Sequence, residues 1–138
     1  MTPLTILILV GGGLHFGILF ASAAVPRVLD WRADLAKLHP LTRQLVWVHG
    51  GFIVLTIVWL GVLCVTAAPD LAGGTPLARG VCGFVAVFWL ARLALQFALF
   101  DPGPLLRTAW LKAGYHGLTI VFAYLAAVFG WAALAPAA

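Results

Sequence analysis

The sequence predicts an all-α membrane protein: four transmembrane helices in an up-down bundle, with a short amphipathic helix lying in the interface between the first two. Three observations lead there. The 138 residues are 64% hydrophobic and only 9% charged, with a mean hydropathy of +1.11, a balance that a water-soluble domain of this size could not present without aggregating. Four apolar runs, at about 4–25, 45–68, 80–100 and 113–135, each reach the roughly 20 residues that span a bilayer as helix. Stretches such as Phe52 to Val65 are apolar on every face, whereas a transmembrane barrel needs alternation of apolar and polar residues. Together these runs make residues 1–138 a single four-helix transmembrane domain.

The first run opens with Pro3, which suits a first helical turn where a backbone N–H has no partner to lose, and it is expected to end where Val25-Pro26 interrupts it. Its last residues, Ala21-Ser22-Ala23-Ala24, resemble a signal-peptidase site. The absence of a basic segment ahead of the run, and the run's length, favour a retained helix over a cleaved signal. In the following segment, 26–40, Val28, Trp31, Leu35 and Leu38 recur at helical spacing while Arg27, Asp30, Asp34 and Lys37 lie toward the other face. That pattern reads as a helix in the membrane interface with Trp31 at headgroup depth; a solvated loop is the alternative.

Pro40 is expected to end this segment, and the second long helix to start near Gln44. The Pro- and Gly-rich connection "APDLAGGTPLA" makes the second and third long helices an antiparallel hairpin. "DPGP" at 101–104 stops the third helix, and a short basic segment leads to the fourth. Arg27, Arg32, Lys37, Arg43, Arg107 and Lys112 fall in the first and last connections, and Arg79 alone in the middle one. The positive-inside rule therefore puts both termini outside and the basic connections in the cytoplasm, as in a bacterial inner membrane. The net charge of +4 follows from this distribution and implies no nucleic-acid partner.

An ionisable side chain within hydrocarbon is a functional-site hypothesis by default. The set here is His15, His49, Arg92 with Gln96, and His116 beside Tyr115. His49-Gly50 and His116-Gly117 are each followed three residues on by an Ile-Val pair, and each histidine sits at a similar depth from the basic end of its helix. If the helices form a ring, the second and fourth are diagonal partners. Neighbouring axes about 8–10 Å apart then leave a diagonal on the order of 13 Å. Two imidazoles across that gap would sandwich a haem, with metal–nitrogen bonds of about 2 Å. Gly50, Gly51, Gly114 and Gly117 would let a porphyrin approach the backbones, although tight helix packing uses the same residues. Arg92 would pair with a haem propionate or a quinone headgroup. His15 is open to three readings: a replacement ligand, a donor behind the ligands, or a side chain hydrogen-bonded between helices. His39, before Pro40, reads as solvated.

Several chemistries lack their residues. No carboxylate lies within the helices for a diiron or isoprenoid-diphosphate enzyme, no Cys-x-x-Cys is present for thiol redox or c-type haem attachment, and neither a phosphate-binding Gly-rich loop nor a nucleophile elbow occurs. Cys64 and Cys82 flank the Pro/Gly connection, where either a disulfide or, more simply, packing of two small apolar residues is expected.

The four-helix topology with His49, His116 and Arg92 resembles the small membrane b-type cytochromes. "LHFGILFASAAVPRV", with Leu14-His15 inside the first helix and Pro26-Arg27 at its exit, looks like the first helix of the small haem-containing protoporphyrinogen oxidases, although the interval from His to Pro is shorter here. The first resemblance implies haem b held by His49 and His116, with electrons passing between a quinol and a partner protein in the membrane. The second implies porphyrinogen oxidation that depends on His15. A third expectation involves no catalysis. The chain would then be an accessory subunit of a larger membrane complex, in a homo- or hetero-oligomer, with the polar residues only joining helices.

Overall fold

A computed structural model describes residues 1–99, 103 and 106–135. Six helices follow in order: α1 (Pro3–Val28), α2 (Trp31–Ala36), α3 (Pro40–Thr66), α4 (Ala68–Ala72), α5 (Pro76–Ala98) and α6 (Ala109–Leu134). Among the described residues there is no strand. The four long helices, α1, α3, α5 and α6, are each long and apolar enough to cross a membrane, so the chain is an integral membrane protein built as an all-α four-helix domain.

Each long helix begins earlier than the hydropathy profile suggests, because the starts are set by caps. Thr2, Thr75 and Thr108 accept, through their hydroxyls, from Thr5 N–H, Ala78 N–H and Leu111 N–H, and His39 accepts from Leu41 N–H through Nδ1. Proline occupies the first turn of α1, α3 and α5. Pro40 thus begins α3 and does not end the segment before it, since its missing N–H is one that a first turn leaves unbonded anyway. Pro26 likewise fails to stop α1, which runs on to Val28. The interfacial helix between the first two spans shrinks accordingly to α2, and α4 forms within the Pro/Gly connection. The "DPGP" stop lies outside the described residues except for Gly103.

The packing order is α3, α1, α6, α5. α5 pairs closely with α6, and α1 packs against both α3 and α6, while α4 reaches α1, α3 and α5. α3 and α6 therefore lie on either side of α1, as diagonal partners would, but the ring is not closed by substantial packing of α3 on α5. The core is centred on Ile8, Leu60, Cys64, Cys82, Val85, Trp89, Leu125 and Phe129. Close approach of α1 to α3 depends on Gly12, where a Cβ would fall 2.8 Å from Val65 Cγ2, and on Gly61, where it would fall 3.0 Å from the Phe16 ring.

Burial along α3 is one-sided in length as well as in face. Ile57, Leu60, Gly61 and Cys64 are its buried residues, all in the half toward α4. None of residues 40–56 is buried. This half of α3 is met by α2, through an edge-to-face contact of Trp31 with Trp47 at 5.9 Å between ring centroids. Cys64 and Cys82 are free thiols buried in the core, and Cys82 Sγ lies 3.8 Å from the Leu71 carbonyl.

Candidate functional site

Polar side chains form a string from α1 through α5 to α6, in which His15 and Gln96 are buried and Arg92 is exposed. His15 is fully buried. Its Nδ1 lies 2.7 Å from the carbonyl of Gly11 one turn earlier, and its Nε2 lies 2.9 Å from the indole nitrogen of Trp89 on α5. An indole N–H only donates. Nε2 must therefore accept, which places the ring proton on Nδ1 facing the carbonyl. Both ring nitrogens are thereby occupied, and the ring is boxed edge-on by Trp89 and Phe129. Of the three readings of His15, the structure realises the hydrogen bond between helices: as placed, the imidazole has no lone pair left for a metal.

Trp89 continues the string. Its ring stacks on Phe122 of α6, 5.2 Å between centroids and 13° between planes, and the guanidinium carbon of Arg92 sits 5.3 Å from the centroid of the same Phe122, within the reach of a cation–π attraction. One turn further, buried Gln96 donates from Nε2 to Thr119 Oγ1 at 2.6 Å, and Thr119 in turn donates to the Tyr115 carbonyl at 3.0 Å. Among the described residues no buried side-chain nitrogen or oxygen lacks a partner, as a chain in hydrocarbon requires. Arg92, Gln96 and Tyr115 are thus brought together at the α5–α6 seam.

His49 and His116 are not part of this string; both are exposed. Along their own helices they lie about 14 Å from Pro40 and about 11 Å from Ala109, at 1.5 Å per residue, so each sits about two to three turns inside its helix. Their faces diverge. His116 precedes Leu125, on the packed face of α6, by nine residues, or about two and a half turns, and so points away from the bundle. His49 precedes buried Ile57 by eight residues, which sets it roughly 80° off the face of α3 that meets α1. As placed, the two imidazoles do not converge on one ring inside a single chain. Gly50, Gly51, Gly114 and Gly117 face open space, with no atom within 4 Å of a Cβ built on any of them.

His49 and His15 share one local geometry and differ in one respect. His49 Nδ1 lies 2.7 Å from the Leu45 carbonyl, which fixes its proton there and turns the Nε2 lone pair outward, and no hydrogen bond to that Nε2 occurs among the described residues. An imidazole oriented by a carbonyl on its far nitrogen is the arrangement that ligating histidines use. His116 meets Tyr115 edge-on at 5.5 Å. No group of three or more His, Cys, Asp or Glu that could hold a metal ion is found among the described residues.

The residue that sequence reasoning missed is Trp89. Most of the six tryptophans fall near the expected interfaces, where aromatic belts form, yet Trp89 is 1% exposed at the centre of the bundle. The signal was present: Trp89, Arg92 and Gln96 are spaced three and four apart, which places an indole N–H on the same stripe of α5 as the two other polar side chains.

No family model matches this sequence, and no curated protein or solved structure matches it either.

Proposed function

We propose that this chain is a haem b-binding membrane protein of electron transfer, acting as a cytochrome or redox subunit between a quinol and a partner protein, with the haem at the periphery of the bundle and His49 as its axial ligand. The observation that carries this reading is the outward Nε2 of His49, held in a ligating orientation by the Leu45 carbonyl. An ionisable side chain in a transmembrane span normally faces the protein interior or a cavity. One that faces outward implies that something other than acyl chains covers it. The open approach at Gly50 and Gly51 leaves room for a flat ring against the α3 backbone.

Haem iron supplies one-electron transfer between its ferric and ferrous states. The chain's own residues bind and orient: Leu45 fixes the tautomer of His49, and Arg92 over Phe122 keeps a cation near the α5–α6 seam for an acidic or quinonoid headgroup. His116 offers a second imidazole, but on the far side of α6, so a ring with two histidine ligands takes one of them from a neighbouring chain. A reading as porphyrinogen oxidase depended on His15, whose ring is fully hydrogen-bonded, and is not carried further.

The test is the oxidised-minus-reduced visible spectrum of the purified protein, with a pyridine haemochrome assay on the same sample. A b-type signal that is lost in His49→Ala is expected. A colourless wild type, even after haem is added back, or a spectrum identical in His49→Ala, overturns the assignment.

One observation favours a second reading. Because the core satisfies its polar groups internally, the chain has the character of an accessory subunit whose His49 and His116 faces pack on a larger membrane complex. The protein would then be colourless, and it would gain stability when co-expressed with that complex.

A further inference from the structure

The two ends of the bundle differ in charge. Arg27 in the last turn of α1, Arg32 on α2, Arg43 in the first turns of α3 and Lys112 at the start of α6 all lie at one end. The other end holds Arg79, which donates to the Ala133 carbonyl at 2.7 Å. Within the basic end, where α1 hands over to α2 and α2 folds back on α3, an open groove of about 490 Å³ is lined by Val28, Leu29, Asp30, Trp31, Asp34, Leu35 and Val46. That volume falls in the roughly 300–1,000 Å³ range of clefts that hold small ligands.

The lining is chemically divided. Five apolar side chains form most of it, and the charged groups on the wall are two carboxylates, although the surrounding end is cationic. Asp34 forms an exposed ion pair with Lys37 at 3.3 Å. Asp30 stands at the N-cap of α2 but in the left-handed region, φ 49°, and its carboxylate makes no capping bond. Two cations lie close along the chain to residues of this wall: Arg27 is next to Val28 at the end of α1, and Arg43 lies one turn before Val46 on the same face of α3. Trp31 and Trp47, edge to face beside the groove, mark the depth at which indoles sit among headgroups.

The geometry points to a binding groove for a phospholipid with a primary ammonium headgroup, its ammonium donating to Asp30 and Asp34, its phosphate meeting Arg27 and Arg43, and its apolar portion lying against Leu29, Leu35 and Val46. Charge complementarity selects this occupant. A purely anionic headgroup would meet two carboxylates on the groove wall, and a quaternary ammonium has no N–H to donate to them. The groove shares no lining residue with the haem reading, although Val46 lies one turn before His49 on α3, and it does not depend on that reading.

The experiment is native mass spectrometry of the full chain in detergent, offered an equimolar mixture of phosphatidylethanolamine, phosphatidylcholine and phosphatidylglycerol with identical acyl chains. Retention of phosphatidylethanolamine several-fold above the other two is expected. On the wild type, successive N-methylation of the ethanolamine should lower retention stepwise as N–H donors are lost. The double variant Asp30→Asn, Asp34→Asn should retain ethanolamine and choline lipids equally; asparagine tolerates the left-handed backbone at position 30, so the turn is kept. Filling the groove with Val46→Trp should reduce retention of all three. Preference for phosphatidylglycerol, equal retention of the ethanolamine and choline lipids by the wild type, or no response to N-methylation each overturns the proposal, and the lipid comparisons need no variant to fold.

Discussion

Trp89 Nε1–H donates to His15 Nε2 at 2.9 Å, a single hydrogen bond joining α5 to α1, two helices whose main neighbours lie elsewhere. Trp89→Phe keeps the stack on Phe122 but leaves Nε2 without its donor. A loss of about 0.5–2 kcal/mol is expected, the range for buried and intramembrane hydrogen bonds. Reversible unfolding in mixed micelles measures it. A double-mutant cycle with His15→Leu should show coupling between the two positions, and additivity would mean that the contact carries no energy.

Gly12 and Gly51 should respond oppositely to a methyl group. At Gly12 the new Cβ would stand 2.8 Å from Val65 Cγ2 and 3.2 Å from the Val65 backbone nitrogen, so α1 must move off α3. Overpacking of this kind costs about 1–3 kcal/mol. At Gly51 nothing lies within 4 Å, and alanine there should be neutral or stabilise by up to about 1 kcal/mol through helix propensity. Thermal denaturation of Gly12→Ala and Gly51→Ala in one detergent checks both. If a haem lies flat against Gly51, Gly51→Leu should also lower haem occupancy without unfolding the apoprotein.

Gln96→Leu removes the donor to Thr119, and Thr119→Val removes the acceptor. Each should destabilise by about 1 kcal/mol or less, since intramembrane hydrogen bonds average near 0.6 kcal/mol. The double replacement should cost less than the sum of the two singles, because no polar group is then left alone. Chemical unfolding of the three variants decides between this coupling and independent effects.

His49→Ala should leave the fold intact, because its face of α3 packs on nothing that is buried, whereas His15→Ala should lower the melting temperature. Circular dichroism melts of the two variants separate a peripheral imidazole from a structural one. Equal destabilisation would place His49 in the packing after all.

Four spans could be read from the sequence because their signal is bulk hydrophobicity, which acts over some twenty residues and tolerates local error. The starts of α3, α5 and α6 lie four or five residues before the apolar runs begin: Pro40 and Pro76 are first-turn residues, each following a residue that caps the helix, and Thr108 caps α6 ahead of its apolar run. Rough depth was legible too, since rise per residue is fixed, and His49 and His116 each lie about two to three turns from the starts of their helices. Facing was not. Whether a histidine points inward depends on which stripe of its helix the neighbours cover, and α6 is covered along Phe122, Leu125 and Phe129, the side opposite His116. The stripe of Trp89, Arg92 and Gln96 shows that azimuth could have been drawn from α5 alone, where polar residues recur at helical spacing.

The incomplete cover of α3 makes the molecule respond differently to the two leaflets of its membrane. Where Ile57 to Cys64 pack, tilt is fixed by protein contacts at Gly12 and Gly61. Over residues 40–56 no residue is buried and α2 meets the helix through Trp31 and Trp47, so lateral pressure and hydrocarbon thickness at that end bear on α3 with less protein to resist them. A thinner or more crowded leaflet at the basic end will therefore change the lean of α3 against α2, and with it the direction in which His49 is presented, while the His15–Trp89 junction keeps its register.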